Sequence, residues 1–143
     1  MDCIFCDIIE GKSEAEIIYE DENIISFLDI RPVNYGHTLI IPKKHYDNFL
    51  SVSIEDMNRL TTALKIVSAA VKKSVNADGF NIVVNNGEAA GQTVFHFHFH
   101  IIPRFENDFR FKPSFKEYSN GSMKEFAGKI RLELNKQNDS PYG

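Results

Sequence analysis

The chain has 143 residues, 43% of them hydrophobic, which is enough for one packed domain spanning 1–143 and excludes a disordered chain. A formal net charge of −4 argues against a nucleic-acid backbone as main partner and leaves a small nucleotide open. No apolar run reaches the roughly 18 residues of a membrane span, and no basic-then-apolar signal peptide opens the chain. The expectation is a cytoplasmic protein with neither membrane nor nucleic acid as partner.

Cys3-Ile-Phe-Cys6 comes first. Asp2 is placed to N-cap a short helix through Ile8 and Ile9 that stops at Gly11. In a reducing compartment two cysteines are thiols or ligands rather than a disulfide. Three readings of the C-x-x-C stay open: a redox pair, which normally follows a strand, inert thiols, or half of a zinc site. A closed zinc site needs two further ligands. His45 and one later histidine could supply them.

Ile17–Tyr19 and Ile24–Leu28 read as a hairpin turned at residues 20–23. Asp29 either caps the following turn or accepts two ribose hydroxyls. Gly36–Pro42 is a third strand with His37 at its start, and Lys43-Lys44 is a solvated turn. Ser53 N-caps the main helix, with Asp56 in capping-box position. Met57, Leu60, Leu64, Val67 and Val71 form one apolar stripe along about 20 residues, made to pack on a sheet. Phe80–Val84 is a fourth strand. The loop 85–92 carries Gly87 and Gly91, lacks the Gly-Lys-Ser/Thr of a P-loop, and runs into the histidines.

His96, His98 and His100 alternate with Phe97 and Phe99. Read as a strand, the stretch puts three imidazoles on one face and the phenylalanines on the other. His96 and His100 then start roughly 13 Å apart, too far to share one ion without a sharp bend. The row divides its labour: one end takes a metal, and the rest does nucleophilic or acid–base chemistry. After Arg104 the chain is aromatic and irregular, a covering loop. Ser122–Glu125 is a second capping box, opening a helix to about Leu134, and the tail from Asn138 frays. Hairpins followed by helices favour an α+β fold with an antiparallel sheet.

His-Phe-His-Phe-His-Ile-Ile resembles the signature of the histidine triad (HIT) superfamily of nucleotide hydrolases and transferases. Cys-Ile-Phe-Cys-Asp-Ile-Ile, Phe-Leu-Asp-Ile at 27–30, Gly-His-Thr-Leu-Ile-Ile-Pro-Lys-Lys-His at 36–45 and Val-Val-Asn-Asn-Gly at 83–87 extend the likeness over nearly the whole chain. It is most similar to the Hint-type branch in its zinc-binding bacterial form.

The resemblance implies a HIT-like fold with about five antiparallel strands, a long helix and a C-terminal helix, in a homodimer. It implies cleavage of a purine nucleoside 5′-phosphoramidate, or a related nucleotidyl bond, at the α-phosphorus. His98 is the implied nucleophile, forming a covalent nucleotidyl-histidine. His37 and His100 flank the phosphate. Gln92 and Thr93 bond its oxygens or the leaving group, and Asn85 and Gly91 border it. Asp29 holds the ribose, and Ile4, Phe5, Ile8 and Phe27 line the base pocket. Cys3, Cys6, His45 and His96 are the implied ligands of a structural Zn2+. The Ile-Ile-Pro-Arg that ends the motif also resembles dinucleoside polyphosphate hydrolases. A zinc-stabilised nucleotide-binding scaffold with little turnover is the reading from outside enzymology.

Overall fold

Five antiparallel strands form one sheet in the computed structural model, in the order β1-β2-β3-β5-β4. They are β1 (Ile17–Glu20), β2 (Ile24–Leu28), β3 (Thr38–Pro42), β4 (Gly79–Val83) and β5 (Phe99–Arg104). Among the described residues there are three α-helices: α1 (Ile4–Ile9), α2 (Ile54–Ser74) and α3 (Ser122–Asn138). This is the α+β architecture expected from the sequence. The structure describes residues 2–109 and 111–138, so the tail at 139–143 lies outside the described residues. The chain forms two compact units, divided between Asp108 and Phe109.

In the first unit, β2 and β3 are buried on both faces, which their nearly continuous apolar runs require. One face carries Ile24, Ile40, Phe97, Phe99 and Ile101 and is covered by α2 through Leu60, Leu64, Val67 and Val71. Each such side chain contributes about 1.5–3 kcal/mol on burial. The other face carries Ile25, Phe27, Leu39 and Ile41 and is covered by Phe5 and Ile8 of α1. The helix stripe therefore packs on the sheet as its spacing indicates. Gly36 precedes His37 at φ +97°, a conformation that favours glycine.

Three local expectations are corrected. Cys3, not Asp2, N-caps α1: its sulfur accepts the Cys6 N–H at 3.4 Å. Ser53 does accept the Asp56 N–H at 3.1 Å, but the Asp56 carboxylate takes the Tyr46 hydroxyl at 2.6 Å and Arg59 at 2.8 Å instead of closing the box. The Ser122 hydroxyl donates to the Ser119 carbonyl at 2.8 Å, and α3 continues four residues past Leu134 to Asn138.

The histidine stretch is only partly a ladder strand. β5 begins at Phe99 and pairs with β3 through Ile40↔Phe99, Leu39↔His100 and Thr38↔Ile101. Upstream, the Phe97 N–H donates to the Tyr46 carbonyl at 2.7 Å. β3 ends at Pro42, which has no N–H with which to continue the pairing. The alternation of faces survives the loss of the ladder: Phe97 and Phe99 face α2, and His98 and His100 line a cavity on the opposite side.

Candidate active site and candidate metal centre

Two of the three row histidines belong to separate clusters. His96 joins Cys3, Cys6 and His45, whose four donor atoms lie within 4.8 Å of one another. His100 joins Asp29 and His37 in a second group of the same compactness. His98 sits between them: its ring centroid is 4.8 Å from that of His100, and its Nδ1 is bonded to the His96 carbonyl.

The first cluster is shaped for a tetrahedral ion. Nδ1 of His96 lies 3.6 Å from both cysteine sulfurs, and Nδ1 of His45 lies 3.4 Å from that of Cys6. Zinc bonds of about 2.3 Å to sulfur and 2.0–2.1 Å to nitrogen, at tetrahedral angles, place S and N about 3.6 Å apart. The outer hydrogen bonds agree. His96 donates Nε2–H to the Pro42 carbonyl at 2.8 Å, and His45 donates Nε2–H to Asp47 at 3.1 Å. Both rings thus turn a lone pair on Nδ1 toward the sulfurs, the arrangement that orients metal-bound imidazoles. Without a cation among them, burial pushes the Cys6 thiol up to about 11 and His96 down to about 4. A divalent ion reverses the penalty on the thiolates.

The second group carries the opposite polarity. The Val33 N–H donates to Nδ1 of His37 at 3.1 Å, and Nε2 of His37 lies 2.9 Å from Nδ1 of His100. A metal on His37 Nε2 would force a proton onto Nδ1, facing the Val33 N–H. This group suits a hydrogen-bond relay and not an ion.

The cavity beside it measures about 290 Å³. Its walls are apolar, from Ile4, Phe5 and Ile8 of α1, Ala15, Phe27, Leu28, Ile30, Leu39 and Val94. Its polar groups are Asp29, Glu14, Thr93, His98 and His100. An apolar slot with a few convergent polar groups is the form of a small-molecule site. Phe5 stands edge-on to His98, with ring centroids 5.2 Å apart. His98 donates Nδ1–H to the His96 carbonyl at 2.8 Å, which leaves the lone pair on Nε2. Burial lowers the pKa of His98, of His37 (against the pull of Asp29) and of His100, the last to about 4. All three rings are neutral near pH 7. The Asp29 carboxylate accepts the Arg31 N–H at 2.8 Å through Oδ1 and lies 3.5 Å from His37 Nε2 through Oδ2.

Other residues singled out in the sequence sit elsewhere. Gln92 is buried, and its amide is committed: the nitrogen donates to the carbonyls of Asp47 at 2.7 Å and Val94 at 3.1 Å, and the oxygen accepts the Gly87 N–H at 2.8 Å. Gln92 thereby ties the glycine loop to the segment after His45. Asn85 and Gly91 adjoin one another outside the cavity wall, a Cβ on Gly91 falling 3.8 Å from Asn85 Nδ2. Sequence reasoning missed Glu14 on the cavity wall, Asp47 behind His45, the Pro42 carbonyl behind His96 and the Val33 amide behind His37. Only Asp47 left a signal, an acid two residues after a candidate ligand.

The profile of the HIT domain matches residues 10–107. A HIT-like protein of Saccharolobus solfataricus is 47% identical over 106 residues, covering 74% of this chain and 76% of its own. The adenylylsulfatase HINT3 of Arabidopsis thaliana is 44% identical over 107 residues, 75% of this chain and 54% of its own. The crystal structure of a Zn-bound histidine triad family protein from Mycobacterium smegmatis is 39% identical, with a TM-score of 0.72 over 98% of this chain and 97% of that one. With its triad motif, its sheet order and these matches in agreement, the chain belongs to the HIT domain family.

Proposed function

We propose that this protein hydrolyses a purine nucleoside 5′-phosphoramidate, or a related nucleotidyl bond, at the α-phosphorus. The observation that carries the reading is the tautomer of His98. Its Nδ1–H is spent on the His96 carbonyl, so a neutral Nε2 lone pair stands at the wall of an apolar cavity.

In the first half-reaction, His98 Nε2 attacks phosphorus and the bond to the leaving nitrogen breaks. The leaving group departs as an amine after taking a proton from water. In the second, water adds to phosphorus as the P–Nε2 bond breaks, returning the electron pair to His98 and releasing the nucleoside monophosphate, while the proton shed by that water neutralises the hydroxide left by the first step. His37, His100 and Thr93 surround the phosphoryl oxygens. Asp29 accepts the ribose hydroxyls. Ile4, Phe5, Ile8 and Phe27 enclose the base, while Gln92, Asn85 and Gly91 hold the loop shape behind the reacting group. The Arabidopsis relative is named for action on an adenylyl sulfate, which supports a nucleotidyl substrate while leaving the leaving group open.

Cys3, Cys6, His45 and His96 would hold a structural Zn2+. With four protein donors no position remains for a substrate or water, so the ion's contribution is to fix α1 and His96. A second copy of the chain is the proposed partner. β4 is an edge strand with Phe80 38% and Ile82 46% exposed, surface suited to pairing across a two-fold axis.

The test is turnover of adenosine phosphoramidate, adenosine phosphosulfate and a diadenosine polyphosphate, with acid-quenched mass spectrometry of wild type and His98→Ala. The expected result is fast phosphoramidate turnover with a nucleotidyl adduct on the His98 peptide, both lost in the variant. Preference for the dinucleotide would keep the mechanism and change the substrate class. No turnover and no adduct with any of the three would overturn the reading.

A further inference from the structure

The histidines flanking the cavity are joined in a directed chain of hydrogen bonds that starts at a backbone amide. Val33 N–H can only donate, so Nδ1 of His37, 3.1 Å away, must accept. A neutral His37 then carries its proton on Nε2, and this N–H points at Nδ1 of His100, 2.9 Å away. His100 must in turn carry its own proton on Nε2. The opposite order would set the Val33 N–H against an N–H of the buried His37 ring and leave that ring nitrogen unpaired.

We infer that the Val33 amide is a positioning group that sets the tautomers of His37 and His100, so that His100 offers an N–H and not a lone pair to the phosphoryl oxygens. The inference rests on the reading that His98 attacks phosphorus in this cavity. It gives the adjacent rings opposite polarity, His98 by its bond to the His96 carbonyl and His100 by its link to the Val33 amide. The pair is a lone-pair donor beside a hydrogen-bond donor. Burial, which keeps both flanking rings neutral, makes the tautomer the only variable left.

The amide is held in place by a network of main-chain and side-chain hydrogen bonds. Asp29 turns the chain by accepting the Arg31 N–H, and the Asp29 N–H is bonded to the His37 carbonyl at 2.9 Å. The Asn34 carbonyl accepts the His37 N–H at 3.0 Å. The Asn34 side chain donates to the Pro103 carbonyl and to Asp108 Oδ2, both at 2.9 Å. Asp108 is gripped by Arg104 Nε at 2.7 Å, and Arg104 also reaches Asn81 at 2.8 Å. Asn34 is therefore a positioning residue, pinning the Val33 turn to the end of the strand that carries His100.

Two-bond 1H–15N imidazole spectra of the zinc-loaded full chain test this, on wild type, Val33→Pro and Asn34→Ala. Wild type should show protonated Nε2 and bare Nδ1 on His37 and His100, and the reverse on His98. Val33→Pro, which deletes the N–H, should shift His37 and His100 toward Nδ1–H. It should also lower kcat by about 10²-fold, the scale of one lost donor to a transition-state oxygen, with KM little changed. Asn34→Ala, which leaves the amide in the chain, should give a mixture of the two tautomers and a smaller fall in kcat. The inference is overturned if wild-type His37 carries its proton on Nδ1, or if both variants fold and keep the wild-type tautomers. If Val33→Pro does not fold, Asn34→Ala decides alone. Correct tautomers in a wild type that turns over no nucleotide would sink the hydrolase reading and leave the hydrogen-bond chain standing.

Discussion

The His96 carbonyl accepts Nδ1–H of His98 at 2.8 Å, while the His96 ring supplies one corner of the cysteine–histidine cluster. One residue thus serves the candidate metal centre with its side chain and the candidate nucleophile with its main chain. Disturbing the cluster should reach the reaction through that carbonyl.

Chelation is expected to lower thermal stability first and activity second. An ion present at about 1,000 times its Kd stabilises by about 4 kcal/mol, which corresponds to roughly 10 °C in a chain of this size. Elemental analysis should find one zinc per chain. A calorimetric scan of chelated against loaded protein should show the drop, and Cys6→Ser should imitate it. An unchanged melting temperature after complete metal removal would count against the centre.

Replacing His98 by Ala should cost at least about 10⁴-fold in kcat, the scale seen when a covalent nucleophile is lost. Affinity for a nucleoside monophosphate should persist, because Asp29 and the apolar wall remain. Calorimetric titration beside the turnover assay checks this. Parallel loss of binding and turnover would assign His98 to recognition.

Burial holds His100 down to about 4, while an unfolded histidine titrates near 6.5. Between those values the unfolded chain binds more protons, so stability must rise with pH across that window. Urea midpoints should be flat above about pH 7, fall as the pH drops from 6.5 toward 4, and lose this residue's contribution to the slope below 4. His100→Gln at equal metal loading should flatten the decline. Equal slopes in the two proteins would mean that His100 is not held neutral.

Gly36→Ala should destabilise by about 1–3 kcal/mol, from a backbone conformation that L residues avoid. The added methyl would also meet Val75 Cγ1 at 3.1 Å. Since His37 follows directly, kcat should fall along with the urea midpoint. A variant of wild-type stability would show that the turn relaxes freely.

Much of this molecule could be read from its residues. Periodicity marked α2 and its buried stripe, and β-branched runs marked the two central strands. Both signals arise from burial on a repeating geometry, which sequence spacing records. The C-x-x-C spacing suggested half of a zinc site, with His45 and a later histidine as its completion; that the later one is His96 followed from resemblance, since residues so far apart in the chain leave no local pattern. The strand through His96 was overextended because alternation reports which face a side chain takes and not which backbone it bonds. The ladder partner at that point is a loop carbonyl at Tyr46. The capping boxes at Ser53 and Ser122 were misread for a similar reason: Tyr46, Arg59 and the Ser119 carbonyl competed for the capping groups. Val33, whose contribution is a main-chain amide, could not have been found from its side chain.

The cluster also imposes a timetable on synthesis. Cys3 and Cys6 leave the ribosome before His45, and His96 appears only 90 residues after Cys6. The six-residue helix that begins after Cys3 and carries Cys6 is too short to persist unaided. Its Phe5 must wait for Phe27 and then for His96 and His98 to give it a seat. The segment of Cys3 and Cys6 is therefore made before its partners and fastened only after them. During that interval two thiols stand with half a coordination shell, open to any thiophilic ion that arrives before the imidazoles do.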